Sequence, residues 1–201
     1  ERQRGFQLPL LEIVSAIRQF TRDRADLAFD GAASYDMDGA RDLCGGLENA
    51  GVRYVLDPLN TRDLDQVASL RRQTSVPLAV WRGVRSPADV LAVIRCGAAS
   101  SVVIDLGLVG GLSAARKCAA IAQAAGLGAC LAAGPSLGVG MAAMLQLAAA
   151  TPAFSHCHQM AHQLGQDDLL IDPLELVDGM LAVPQAPGLG VQIDRGKLDR
   201  G

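Results

Sequence analysis

The sequence predicts an α/β fold in which consecutive strand–helix units build a parallel sheet. Short apolar runs recur roughly every 25 residues, which is the length of one strand, one helix and two loops. These runs are apolar throughout rather than alternating, as in strands that helices cover on both faces. Segments with helical periodicity lie between them. The predicted strands are residues 28–30, 52–56, 77–80, 102–104 and 129–132.

Glycines and serines mark the ends of the predicted helices. Gly51, Gly97 and Gly126 each follow a helical segment, where a left-handed residue ends a helix at little cost. Ser86–Pro87 and Ser113 stand where helices should begin. A doubly wound sheet and a barrel both use this unit, but no Gly-x-Gly-x-x-Gly follows the first strand, so a dinucleotide-binding fold has no support. The predicted helices are residues 10–20, 37–50, 64–72, 88–94, 112–125 and 139–149.

Composition excludes several classes of protein. Half of the residues are apolar and only 3% are aromatic, so Ala, Val, Leu and Ile must form the core. The net charge is -3 without a basic block, which argues against nucleic-acid binding. No apolar run reaches the ~18 residues of a membrane span. The five cysteines are odd in number and widely spaced, which is typical of reduced thiols and favours a cytoplasmic location.

The C-terminal part of the chain departs from the repeat. Residues 167–201 contain three prolines and a Gly-Leu-Gly sequence, with strand-like pieces at 174–176 and 180–183. This composition predicts an extended segment that packs elsewhere. We therefore divide the chain into a repeating domain, residues 1–166, and a C-terminal return segment, residues 167–201.

Five stretches, in order and in register, resemble the barrel of the mandelate racemase/muconate cycloisomerase (muconate lactonizing enzyme) group of the enolase superfamily. The clearest is Val-Gly-Gly-Leu-Ser at 109–113, followed by its helix. The others are residues 28–34, 53–59, 76–80 and 187–191. The resemblance implies a (β/α)₈ TIM-type barrel, incomplete here, with about six βα units and the return segment. A homo-oligomer or a second chain would then complete the barrel.

The resemblance also implies a metal site, which this sequence matches poorly. In the family, three carboxylates at successive strand ends hold Mg²⁺, and a substrate carboxylate binds that ion. Asp30 occupies the first ligand position, but Leu56 occupies the second and Trp81 the third. Arg82 stands where a glutamate is usual. No cofactor is therefore expected in this chain, and Mg²⁺ only if the site is rebuilt. Asp57 could replace Leu56 only through a bulge or register shift, since neighbouring strand residues face opposite ways.

The acid/base positions are altered as well. Asp105 lies where the family carries its catalytic lysine or aspartate, and is the one candidate base. The position of the racemase histidine falls near Ala132, and that of the cycloisomerase glutamate on Ser136. Two functions remain open. One is a divergent protein with impaired metal-dependent chemistry; the other is an active racemase, cycloisomerase or dehydratase that uses Asp105 on a small carboxylate.

Two other groups of residues can bind ligands. Trp81 and Arg82 either fill the space that the ion leaves or form an anion-binding or stacking site, in which Arg82 supplies the positive charge. Arg82 could pair with Asp30 or Asp57. His158 and His162 would share a helix face and offer a transition-metal site, although packing on the barrel is the simpler interpretation.

Overall fold

The structure, a computed structural model, describes residues 2–133, 136–154, 156–160 and 168–199. Two compact units divide the chain. The first comprises residues 1–83 and 88–102, and the second comprises residues 84–87 and 103–201.

The first unit contains a parallel sheet with its strands in chain order. Asp30 of the first strand lies opposite Leu56 of the second, Leu56 lies opposite Ala79 of the third, and Val80 lies opposite Val102 of the fourth. The strands are β1 (Leu27–Asp30), β2 (Val52–Leu56), β3 (Leu78–Val80) and the first residues of β4 (Ser101–Asp105). The helices are α1 (Arg2–Thr21), α2 (Met37–Leu47), α3 (Leu64–Arg71) and α4 (Pro87–Cys96).

Local sequence accounts for the ends of these elements. The Asp36 side chain accepts a hydrogen bond from the Gly39 N–H at the start of α2, and Asp63 accepts one from the Asp65 N–H at the start of α3. Gly51 and Gly97 adopt positive φ angles of 58° and 60°, as their places after α2 and α4 predict. α4 begins at Pro87, as its sequence predicts.

The second unit continues the βα pattern and ends in the return segment. Its fifth and sixth strands pair in parallel, with Ala132 opposite Gln159. In the return segment, residues 176–177 and 180–181 form an antiparallel hairpin across Asp178–Gly179, and Leu170 bridges to Ile193. The elements are α5 (Leu106–Val109), α6 (Leu112–Ala124), β5 (Gly128–Ala133), α7 (Gly138–Ala150), β6 (Gln159–Met160), β7 (Leu176–Val177), β8 (Met180–Leu181) and α8 (Arg195–Leu198).

All five predicted strands and all six predicted helices are present, with small differences at their ends. α6 starts at Leu112, as predicted, with Ser113 in its first turn, and it follows Gly111, whose φ of 102° only glycine adopts readily. The predicted boundary at 166/167 lies at the edge of residues 161–167, outside the described part of the chain, so it stays a prediction.

Small and medium apolar side chains form the core of each unit. Leu43, Leu47 and Leu70 are fully buried in the first unit, and Leu131 and Met144 in the second. Over the described ranges, each helix is too short or too polar to cross a lipid bilayer.

Candidate functional site

The loops that follow β1 and β2 run side by side in the first unit. The Gly31 N–H donates to the Leu56 carbonyl and the Ala33 N–H to the Asp57 carbonyl, both at 2.8 Å. A Cβ atom on Gly31 would lie 2.6 Å from Pro58 Cα. Only glycine therefore permits this approach, which brings the carboxylates of Asp30 and Asp57 to the same edge of the sheet.

Asp57 leaves the alternation of β2. The strand ends at Leu56, and Asp57 has a φ of 39°, a left-handed conformation that aspartate tolerates better than most residues. The irregular backbone without which Asp57 could not take the place of Leu56 is therefore present. Its Oδ1 accepts the Trp81 N–H at 3.0 Å and its Oδ2 accepts the Arg82 N–H at 2.9 Å.

Arg82 places a guanidinium between the two carboxylates. Its Nη1 lies 3.1 Å from Asp57 Oδ2 and 3.6 Å from Asp30 Oδ1. The pairing anticipated from the sequence is thus present with both aspartates. The Asp57 side chain is only 10% exposed, whereas Arg82 and Asp30 are each 37% exposed. The Asp57 contact is therefore the better shielded of the two.

Trp81 stacks against this guanidinium. The Arg82 Cζ lies 5.3 Å from the centroid of the Trp81 ring, within the range of a cation–π contact. The Trp81 Nε1 is buried and has no hydrogen-bond partner among the described residues. The two residues therefore contact each other, and their predicted role in binding an anion stays a prediction.

The three positions implied as metal ligands hold one carboxylate. Asp30 Oδ1 accepts the Ala32 N–H at 2.8 Å as well as facing Arg82. Leu56 is buried within the sheet, and Trp81 has an indole. Within the described part of the chain, no three His, Cys, Asp or Glu side chains come together as a metal site does.

Asp105 is the last residue of β4 and caps the helix that follows. Its Oδ1 accepts the N–H groups of Gly107 at 2.8 Å and Leu108 at 3.3 Å, and the residue is 8% exposed. This is an N-cap arrangement, which holds the start of α5. Proton transfer by this side chain would have to use Oδ2.

Ser136 lies two residues before α7 in the second unit. Its Oγ is buried and has no hydrogen-bond partner among the described residues. Near it, the Gly138 N–H donates to Asp168 Oδ1 at 2.9 Å. The structure gives Ser136 no contact that identifies a ligand, so its predicted binding role stays a prediction.

His158 does not lie on a helix, so the shared helix face on which the alternative of a transition-metal site rested is not formed at this residue. It precedes β6, and its Nδ1 accepts the Leu131 N–H at 3.2 Å while its ring meets Phe154 edge to face. Burial lowers the pKa of His158 below its usual 6.5, so the ring is neutral near pH 7 with its proton on Nε2. Neither nitrogen is then free to bind a metal. His162, the proposed second ligand, lies outside the described residues.

A family model described as "Enolase C-terminal domain-like" matches residues 10–197. The chain belongs to this family. It is 32% identical to muconate cycloisomerase 1 of Rhodococcus opacus over 90% of this chain and 49% of that protein. It is 30% identical to D-xylonate dehydratase of Haloferax volcanii over 92% of this chain and 45% of that protein.

A solved enolase-superfamily structure has the same fold. A muconate cycloisomerase from Azorhizobium caulinodans superimposes with a TM-score of 0.89 at 26% identity, over 96% of this chain and 55% of that one. The predicted barrel class and family are therefore confirmed. The chain spans about half the length of the curated relatives it matches.

Sequence reasoning missed the structural role of Asp57. The pairing of Asp57 with Arg82 was anticipated, but not that its two carboxylate oxygens also accept the backbone N–H groups of Trp81 and Arg82. The signal was a carboxylate directly after an apolar strand and before a proline, where the strand must end. The sequence also led to no functional prediction for the polar residues that follow, Asn60 to Asp63.

Proposed function

We propose that this chain is the barrel portion of a divergent muconate cycloisomerase- or dehydratase-like protein whose Mg²⁺-dependent enolate chemistry is impaired. One observation carries the proposal. The Arg82 guanidinium faces both Asp30 and Asp57, at 3.6 Å and 3.1 Å, where the family resemblance implies a divalent cation.

Charge supports this interpretation. A guanidinium stays protonated at any ordinary pH, so it supplies a permanent positive charge to the two carboxylates. The Asp57 carboxylate is further held by two backbone N–H groups. A metal ion at this point would have to displace Arg82 and compete with these donors.

The donor set also does not fit Mg²⁺. This ion needs nearly octahedral oxygen coordination and gives up its water reluctantly. Leu56 and Trp81 offer no hard ligand at the second and third positions, and Asp30 and Asp57 face a cation already. We therefore assign no step of a reaction to a metal in this chain.

Metal titration tests the proposal. Calorimetry with Mg²⁺ and Mn²⁺ should show no stoichiometric binding at millimolar metal. Arg82→Gln removes the guanidinium charge, so Mn²⁺ affinity should rise in this variant, and adding Asp30→Ala should abolish the gain. Asp172→Ala, which changes an exposed carboxylate of the return segment, serves as the control.

Tight binding by the unmodified chain, lost in Asp30→Ala but retained in Asp172→Ala, would overturn the proposal. It would mean that ligands around Asp30 rebuild the site. Enolate chemistry would then become the leading function again.

A second candidate function rests on the position of Asp105. Catalytic groups of barrel enzymes lie at the carboxyl ends of strands, and Asp105 ends β4. In this alternative, the protein is an isomerase or lyase that removes an α-proton from a small carboxylate through Asp105. Exchange of the α-proton of D-xylonate and turnover of muconate can be followed in D₂O by NMR. Exchange that Asp105→Asn abolishes would favour this candidate.

The assembly of the protein stays a prediction. A homo-oligomer or a second chain that completes the barrel is proposed, together with a small carboxylate as ligand. Light scattering on the purified chain measures its mass, and a monomer at micromolar concentration would argue against a homo-oligomer.

A further inference from the structure

A pocket of about 160 Å³ lies in the first unit, and Trp81 is not among the residues that line it. The loop after β2, the first turns of α3 and the end of β3 enclose it. Its apolar lining includes Leu59, Leu64, Val67 and Val80, and the exposed residues Asn60 and Arg62 lie at its rim.

The walls of the pocket are held by contacts of their own. Leu59 pairs with Tyr35 in a parallel bridge, and the Asn60 N–H donates to the Tyr35 carbonyl at 2.8 Å. Thr61 Oγ1 accepts the Asp63 N–H at 3.1 Å, just before α3 begins. Leu59, Val67 and Val80 are buried, at 2%, 7% and 4% exposed. The pocket is therefore formed before any ligand arrives, which lowers the entropic cost of binding.

One charged residue at the pocket, Arg62, has no partner of opposite charge among the described residues. Asp57 and Arg82 also line it, but they pair with each other and largely cancel. Asp63 caps α3 and does not line the pocket. Arg62 is exposed and has no ion pair or hydrogen bond with any described residue. The rim thus carries one available positive charge beside an apolar interior.

We propose that this pocket binds a small apolar monoanion, a single ring or branched chain that carries one carboxylate. The apolar group would lie against Leu64 and Val67, while Arg62 and the Asn60 side-chain amide hold the carboxylate. Size supports one ring, because an apolar protein cavity of about 150 Å³ accepts benzene. This site needs no metal and does not depend on the pairing of Arg82 with Asp30.

Benzoate titration of the full chain, followed by ¹H–¹⁵N NMR in the presence of EDTA, tests the proposal. Amide shifts should concentrate at residues 59–67 and 79–83. The Kd should be millimolar, since a ligand this small gains little free energy. Benzamide keeps the shape without the charge, so it should bind about threefold more weakly, in line with one exposed ion pair.

Variants separate the charge from the cavity. Arg62→Ala should weaken benzoate about threefold, while benzamide should be unaffected. Arg72→Ala removes an exposed arginine that does not line the pocket and should change neither ligand. Leu64→Trp fills the pocket from a half-buried position in its wall and should abolish the shifts without loss of circular dichroism.

Three results would overturn the proposal. The first is the absence of shifts at about 20 mM benzoate, a concentration above the expected Kd. The second is an equal loss of affinity in Arg62→Ala and Arg72→Ala, which would indicate general attraction to positive charge, and the third is full binding by a folded Leu64→Trp. None of these results bears on metal binding at Asp30, so the two proposals fail separately.

Discussion

Asp57 Oδ2 accepts both the backbone N–H and a guanidinium N–H of Arg82, at 2.9 Å and 3.1 Å. One carboxylate oxygen thus fixes where the Arg82 main chain runs and where its charge lies. The other oxygen holds the Trp81 N–H. Asp57 organises the strand end as a hydrogen-bond acceptor, with its charge already balanced.

Replacing Asp57 should cost considerable stability. Asp57→Ala removes three hydrogen bonds and leaves two part-buried N–H donors unpaired, so the free energy of unfolding should fall by about 2–4 kcal/mol. Asp57→Asn keeps one acceptor and tolerates the positive φ, so its loss should be smaller. Urea unfolding measures both values, with Asp172→Asn as the exposed control. Equal stability of Asp57→Ala and the unmodified chain would contradict this role.

Gly31 should resist even the smallest side chain. Gly31→Ala places a Cβ 2.6 Å from Pro58 Cα and must separate the two loops, at a cost of about 1–3 kcal/mol. Gly45→Ala is the matched control, because its Cβ would meet nothing within 4 Å inside α2. That variant should gain about 0.5–1 kcal/mol from helix propensity. Thermal melts of both variants test the contrast, and a neutral Gly31→Ala would refute it.

The two roles considered for Asp105, helix cap and catalytic base, predict different results for Asp105→Asn and Asp105→Ala. As a cap, Asp105→Asn should keep the stability of the chain, whereas Asp105→Ala should lose about 0.5–2 kcal/mol. As a base, both variants should lose any α-proton exchange. We expect the stability difference, measured by urea unfolding. Equal stability of the two variants would show that Oδ1 contributes little to α5.

His158 should make the stability of the chain depend on pH. Its pKa is lowered in the folded state, so the unfolded chain binds a proton more readily once the pH falls below about 6.5. The stabilising contribution is therefore complete above that pH and declines as the pH falls towards the lowered folded value. Between pH 7 and pH 5 the unmodified chain should lose more stability than His158→Gln. Parallel curves for the two proteins would be inconsistent with this account.

The sequence predicts the repeating part of the fold well because its signals are local. Apolar runs located the first five strands, and Gly51, Gly97 and Gly126 all adopt the positive φ that ends a helix. Short elements were missed: β6 has two residues and α5 has four, too few to display a period.

The candidate site was harder to predict, because its geometry depends on distant residues. The pairing of Arg82 with Asp30 and Asp57 followed from charge and from the order of the strands. The left-handed conformation of Asp57 could not be predicted, because no residue next to it in sequence demands a positive φ. It accompanies the close approach of Gly31 to Pro58, which is 27 residues away in sequence. His158 was misplaced because its spacing to His162 suits a helix, while its actual partner, the Leu131 N–H, is 27 residues away.

The cation–π contact of Trp81 has a practical consequence. Trp81 is the sole tryptophan of the chain, so indole fluorescence arises from one point beside the Arg82 guanidinium. Its emission should be sensitive to the charge of that neighbour, and Arg82→Gln should alter its intensity. During denaturation the same signal will follow the first unit alone, whereas circular dichroism averages over both. Comparing the two optical curves would reveal whether the halves of the chain melt together.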